Sequence, residues 1–424
     1  MKNLKKILLL ILVTSLFNRC TDHVDYEAIE GYQITSEIYF QQEADYDAAL
    51  VGTYDVLQWL FFNIQLGAIA SEITLCGGES ATDYIGIQQI DDMTHYPENN
   101  VLRQIWQFLY EGVNRANYME ENKANIDFEG KEAMYGEVYF LRAYYYFELV
   151  KFFGDVPLFT EARLTAGQAG TLTRTPKDEV YAQIELDLQN AIASLPNSQS
   201  QVGRVNKYTA YALLGKVLLY QDKFAEAASA LDNVIGVYSL VSDYGSQFLR
   251  FGENGPESVF EIQYSNQSNW YDWGCAHCSE GNYAIIMNGP RGWSGPEYAQ
   301  GWSFNVPTEE FYNSFEEGDS RRDATVLDIE AFAAATGASY TEGYDHTGYF
   351  NNKYIPRAGE SGGQTELNYL TNFRIIRYSD VLLMAAEAYN RGGIDDGLAQ
   401  EFLNQVRRRA FGGDDNDISA SGSA

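Results

Sequence analysis

The segment Tyr135 to Thr160, YGEVYFLRAYYYFELVKFFGDVPLFT, constrains this chain most, because its apolar residues fill two adjoining rows of one helix. Val138, Leu141, Tyr145, Leu149 and Phe152 recur at helical spacing, and Tyr135, Tyr139, Tyr146 and Phe153 form a second row beside them. Two apolar rows need two packing partners, which predicts a central helix in an α-helical array. Only a narrow strip through Glu137, Tyr144, Glu148 and Lys151 is left for water. Gly154 and Pro157 end the helix. Arg142 falls on an apolar row, where a guanidinium persists only against carboxylates or carbonyls, so a buried ion pair is expected there.

The same periodicity recurs along the chain. Ala49, Leu50, Thr53, Tyr54 and Leu57 trace one helix, and Leu102, Ile105, Leu109, Val113 and Ala116 trace another. Between them Leu75 to Asn100 is rich in Gly, Asp, Thr and Gln without period, predicting a long loop of the kind that often carries function. Val180, Ile184, Leu188, Ala191 and Leu195 mark a helix closed by Pro196. A hairpin follows, with Leu213, Leu214, Val217 and Leu218 on its first helix and Phe224, Ala227, Ala228, Leu231, Val234 and Ile235 on its second. Its spacing is close to a tetratricopeptide repeat, and Val381 to Ala410 repeats it. Ser258 to Tyr264 alternates like a short strand.

Periodicity then stops. From Asn266 to Pro307 the chain carries Gly, Pro, Asn and Ser among Trp270, Tyr271, Trp273, Tyr283, Trp293, Tyr298 and Trp302. Ring faces interleaved with amides and charges suit a sugar, whose C–H faces lie on aromatic planes while its hydroxyls bond side chains. Trp270, Tyr271, Trp273 and Trp293, with Asn269, Asp272 and Arg291, are the expected ligand-binding set. Trp302 is assigned to the framework.

At 424 residues and 45% hydrophobic content the chain can bury a large core. A net charge of −30 argues against nucleic acid and against anionic lipid as partners. Lys2, Lys5 and Lys6 precede the apolar run Ile7 to Val13, which reads as a secretory signal too short to span a bilayer. Cys20 stands where a bacterial lipoprotein carries its lipid, although Asn18 and Arg19 before it depart from the usual small residues. Cys275 and Cys278, with His277 between them, fit a redox pair, half a zinc site or a small disulfide; in an exported protein a structural disulfide is the ordinary use. No metal site and no cofactor are expected. A nucleophile elbow, a His-Glu-x-x-His motif and a phosphate-binding loop are all missing from the sequence.

The run FLRAYYYFELVKFFGDVPL, from Phe140, closely resembles the signature of the SusD/RagB family of outer-membrane nutrient-binding lipoproteins. DYDAALVGTYDVL from Asp45, IWQFLYEGVNRANYM from Ile105, SVFEIQY, GWSFNVPTEEFYNSFEEGDSRRDAT from Gly301, FRIIRYSDVLLMAAEAYNRGG from Phe373 and AQEFLNQVRRRA from Ala399 extend the resemblance. It implies a mostly α, SusD-like fold: a tetratricopeptide-like helical scaffold over 40–240 and 373–411, and an irregular excursion with a few short strands over about 258–372. Residues 1–20 would be the signal segment, 21–411 one domain and 412–424 a disordered polar tail, where the relatives continue with a further helical region. The resemblance also implies a lipid-anchored protein of the cell surface, held to the outer membrane through Cys20. It would bind an oligosaccharide and deliver it to a SusC-like TonB-dependent transporter without catalysis. A RagB-like peptide binder and a glycoside hydrolase are the alternatives.

Overall fold

The computed structural model describes residues 39–60, 62–267, 275, 278–360 and 367–419. Eight principal helices carry the architecture: α1 Glu43–Gln58, α2 Asn100–Glu121, α3 Lys131–Phe153, α4 Lys177–Ser194, α5 Lys207–Leu219, α6 Phe224–Asp232, α7 Tyr378–Arg391 and α8 Asp396–Phe411. Each packs on its successor from α2 to α8, and α1 lies against α2 and α3. Antiparallel helical hairpins stacked in this way are a tetratricopeptide-like scaffold.

α3 sits at the centre, with both of its expected apolar rows buried over most of their length. Its tyrosines also serve as hydrogen-bond donors to the backbone of neighbouring segments. Tyr145 Oη donates to Thr53 O of α1 at 2.6 Å, Tyr135 Oη to Met119 O of α2 at 2.7 Å and Tyr146 Oη to Phe159 O at 2.8 Å. A buried phenol must find such an acceptor, and here backbone carbonyls supply it. Gly154 ends the helix with φ 66° while its N–H bonds Val150 O.

Arg142 forms the predicted buried pair. Its Nε and Nη2 make a two-point contact with Asp187 of α4 at 2.8 and 2.7 Å, and Nη1 reaches Asn117 Oδ1 and Thr160 O. The polar strip is a correction. Glu137, Tyr144 and Glu148 are buried. Glu137 accepts from Tyr54 Oη at 2.7 Å and meets Arg204 at 3.4 Å, while Glu148 is capped by Lys151 at 2.7 Å. For Glu137 the partners come from elements remote in sequence, and for Glu148 the partner is Lys151 one turn along the same helix.

Among the described residues, eight strands form four separate two-stranded antiparallel sheets. They are β1 Thr74–Gly77, β2 Ser258–Ile262, β3 Arg291–Ser294, β4 Phe304–Pro307, β5 Val326–Asp328, β6 Ser339–Thr341, β7 Tyr349–Asn351 and β8 Phe373–Arg377, paired β1–β4, β2–β8, β3–β6 and β5–β7. Two of these pairings tie the excursion back to the scaffold: β2–β8 leads directly into α7, and β1–β4 joins the excursion to the segment between α1 and α2.

Two further differences concern segments read as irregular. The expected loop from Leu75 contains β1 and a short helix, Ile85–Asp91, whose Gly86, Ile87 and Ile90 are buried. The expected disordered tail is folded back on α8 as far as it is described. Asp417 pairs with Arg408 at 2.6 Å, Asn416 O accepts from Arg407, and Asn404 and Ile418 exchange two hydrogen bonds. Composition favours disorder there, but the basic end of α8 gives the acidic tail fixed partners.

Candidate functional site

The site is built on the β1–β4 pairing, in which Thr74, Leu75 and Gly77 stand opposite Pro307, Val306 and Phe304. Gly77 has φ +72°, and a Cβ there would lie 2.1 Å from Ser303 O, so only glycine allows the crossing. The next residue, Gly78, donates to Ser303 O at 2.7 Å. Of the eight described non-glycine residues with positive φ, Tyr84, Met93, Ser303, Asn305 and Asp345 all belong to this region. Such conformations persist only where the surroundings enforce them, and they gather at functional sites.

Below this crossing, on the other side of the excursion chain, Gly289 and Gly301 pass with backbones in contact: a Cβ on Gly301 would stand 2.3 Å from Gly289 Cα. That approach holds Trp302 beside the Ala284–Met287 helix, where its N–H bonds Ile286 O at 2.9 Å. Between these walls lies a cavity of about 520 Å³. Its aromatic lining is Tyr84, Tyr283, Trp302 and Phe304; its polar lining is Glu79, Asp83, Gln104 of α2 and Arg291 of β3. Tyr84 meets Phe304 edge to face at 6.3 Å. Burial pushes the Tyr84 phenol up to about 12 and that of Tyr283 well above its usual value, so both present neutral hydroxyls.

Arg291 is the electrostatic centre of the lining. Its Nη2 donates to Asp83 Oδ2 at 3.0 Å and its Nε to Trp302 O at 2.9 Å, and Glu79 lies 3.7 Å from Nη1. Asp83 Oδ2 also accepts the Glu79 N–H at 2.8 Å. The arrangement offers flat apolar faces, hydroxyls, one amide and a fixed ion pair. No His, Ser or Cys is in the described lining. Among the described residues no group of three or more His, Cys, Asp or Glu is gathered as a metal site.

Of the residues singled out in the sequence, Arg291 lies in this cavity and Trp293, two positions on, does not line it. The Trp293 indole packs on Tyr298 at 5.9 Å and Phe332 at 6.0 Å, in a satellite cluster around Ile329 and Phe350. Asn269, Trp270, Tyr271, Asp272 and Trp273 lie outside the described residues, as does Cys20. Cys275 and Cys278 are joined in a disulfide, and Cys76 is a buried free thiol. Sequence reading passed over Glu79, Asp83, Tyr84 and Gln104, and gave Trp302 to the framework alone. Its ring packs against the main core and also faces the cavity. The available signal was the aperiodic run after Leu75, which supplies half of one wall.

A family described as "Starch-binding associating with outer membrane" matches residues 71–219, and the SusD family matches residues 256–421. SusD-like protein P2 of Formosa agariphila is 30% identical over 401 residues, covering 89% of this chain and 76% of its own. The chain belongs to the SusD family. Two solved SusD-like structures place its fold closely. A laminarin-binding SusD-like protein superposes with a TM-score of 0.82 at 35% identity, over 90% of this chain and 87% of that one. Surface glycan-binding protein A from Bacteroides thetaiotaomicron, in complex with laminarihexaose, gives 0.80 at 28% identity over 89% and 85%. The SusD-like fold implied by the family resemblance is therefore the fold of this chain.

Proposed function

We propose that this SusD-like chain captures an oligosaccharide in the cavity between residues 79–104 and 283–304, and hands it to a SusC-like TonB-dependent transporter at the outer-membrane surface, without turning it over. The observation that carries the reading is the cavity itself: four aromatic side chains and a fixed ion pair enclosed by strained, glycine-dependent backbone. Aromatic faces bind pyranose rings through their C–H faces, and the neutral hydroxyls of Tyr84 and Tyr283 with the Gln104 amide are suited to sugar hydroxyls. The two relatives named for laminarin and laminarihexaose support a glycan over a peptide.

Hydrolysis would need two carboxylates facing each other across the sugar. Here Glu79 and Asp83 both turn to one guanidinium. No helix among the described residues is long and apolar enough to cross a membrane. Attachment to the outer membrane is assigned to lipid on Cys20. Trp270, Tyr271 and Trp273, with Asn269 and Asp272, are proposed to extend the aromatic surface; Trp293 is proposed to support β3 and with it Arg291.

Calorimetry with laminarihexaose tests the site. Trp302→Ala and Tyr283→Ala should each weaken binding by about 1–3 kcal/mol, with Trp273→Ala in the same range. Affinity unchanged in all three variants would move the site elsewhere. Release of shorter glycans on incubation would replace a binding function with an enzymatic one.

A further inference from the structure

We infer that this cavity selects uncharged glycans and rejects acidic ones, whether uronates or sulfate esters, through the constellation of Glu79, Asp83 and Arg291. The inference rests on the glycan reading above and narrows it. An acidic sugar is recognised by a cation whose charge is not already balanced by carboxylates. Arg291 is the one cation among the described lining residues: Asp83 at 3.0 Å and Trp302 O at 2.9 Å take two of its five N–H donors, and its single charge is shared between Asp83 and Glu79, 3.7 Å from Nη1. Two carboxylates on one guanidinium leave the wall negative. Asp83 is also held from its own side, since its Oδ2 accepts the Glu79 N–H. It cannot swing away to release Arg291 without losing both contacts.

Among the described residues the lining holds no second cation. Arg103, beside Gln104 in α2, is exposed and outside the lining. The internal residues outside the described ones, 61, 268–274, 276–277 and 361–366, include neither a Lys nor an Arg. A carboxylate or sulfate on the ligand would therefore be desolvated against like charge.

The experiment is paired titration calorimetry at low ionic strength. Laminarihexaose, cellohexaose and maltohexaose are each compared with the same hexaose oxidised at its primary hydroxyls to carboxylates. At least one neutral hexaose should bind, its oxidised form at least about tenfold more weakly, with the ratio shrinking as salt is added. Glu79→Gln changes a largely exposed side chain (77%), and Asp83→Asn releases Arg291; each should narrow the ratio of the two affinities. Asp222→Asn, on the exposed turn after α5, removes the same charge far from the cavity and should leave the ratio as it is.

Equal or tighter binding of the oxidised form by the wild-type protein overturns the inference and leaves the glycan reading standing. A ratio narrowed as much by Asp222→Asn as by the site variants assigns rejection to the overall charge of −30, and overturns the role of the constellation. Failure of every neutral hexaose to bind takes away the glycan reading and this inference with it.

Discussion

Arg142 makes four hydrogen bonds, two of them to Asp187, with both side chains almost wholly enclosed. Truncating it strands a carboxylate in the core. Arg142→Ala should lower unfolding free energy by about 3–5 kcal/mol in a denaturant titration. Replacing both partners with apolar residues of similar volume should recover most of that loss, because the cost lies in the unpaired charge and not in the missing attraction. An unchanged midpoint for Arg142→Ala would show that the pair is dispensable. Arg142 was legible because its own helix gave both of its neighbouring rows. Glu137 and Glu148 were not, because what buries them is Tyr54, Arg204 and Lys151, and only the last is on the same helix.

Between α5 and α6 the helices approach over Gly215, where an added Cβ would stand 2.5 Å from Leu231 Cγ. Gly112 of α2 plays the same part beneath the Tyr145 ring, at 2.5 Å. Gly215→Ala should destabilise by about 1–3 kcal/mol through overpacking, and Leu231→Ala in the same chain should relieve part of the strain while opening its own void. Thermal melts of the two single variants and the double variant read the coupling; strict additivity would mean the helices do not meet at this residue. These hairpins were readable from sequence, since helical period and a small residue at the crossing are both local signals. The cavity had no such signal. Its walls come from two aperiodic runs, and the strands that join them are four residues long, β1 and β4. Sequence reading found the aromatic density of one wall and placed Trp302 in the framework because it falls in the family-like run from Gly301, where a ring that packs and also lines a cavity reads as packing.

Over the whole molecule, the acidic groups moved from their ordinary range are of two kinds. Burial holds Glu137, Glu253 and Asp91 above the ordinary carboxylate range, so the folded state takes up their protons first. Their contribution grows as pH falls from neutral toward the ordinary values of 4.5 and 3.8. Glu121 is held low by Arg163, and Asp319 is held low by Arg321 against its burial. The stability these two contribute is present above the unfolded values and is lost as pH drops through their depressed ones. Relief of the −30 charge adds to the first effect. The melting temperature at constant ionic strength should therefore peak on the mildly acidic side, at roughly pH 5–6, and fall below about pH 4. A steady decline from pH 8 to 5 would contradict this balance.

The contact between Arg291 and Asp83 closes 208 residues of chain. Loop closure of that span must follow most of the local hairpins in time, and contacts so distant in sequence form slowly. During export and refolding, α2 to α6 can assemble from neighbours alone while the cavity is still open on one side. Binding at the proposed site would thus become competent only after the β3–β4 part of the excursion has docked, and a bound hexaose would report completion of folding as well as affinity.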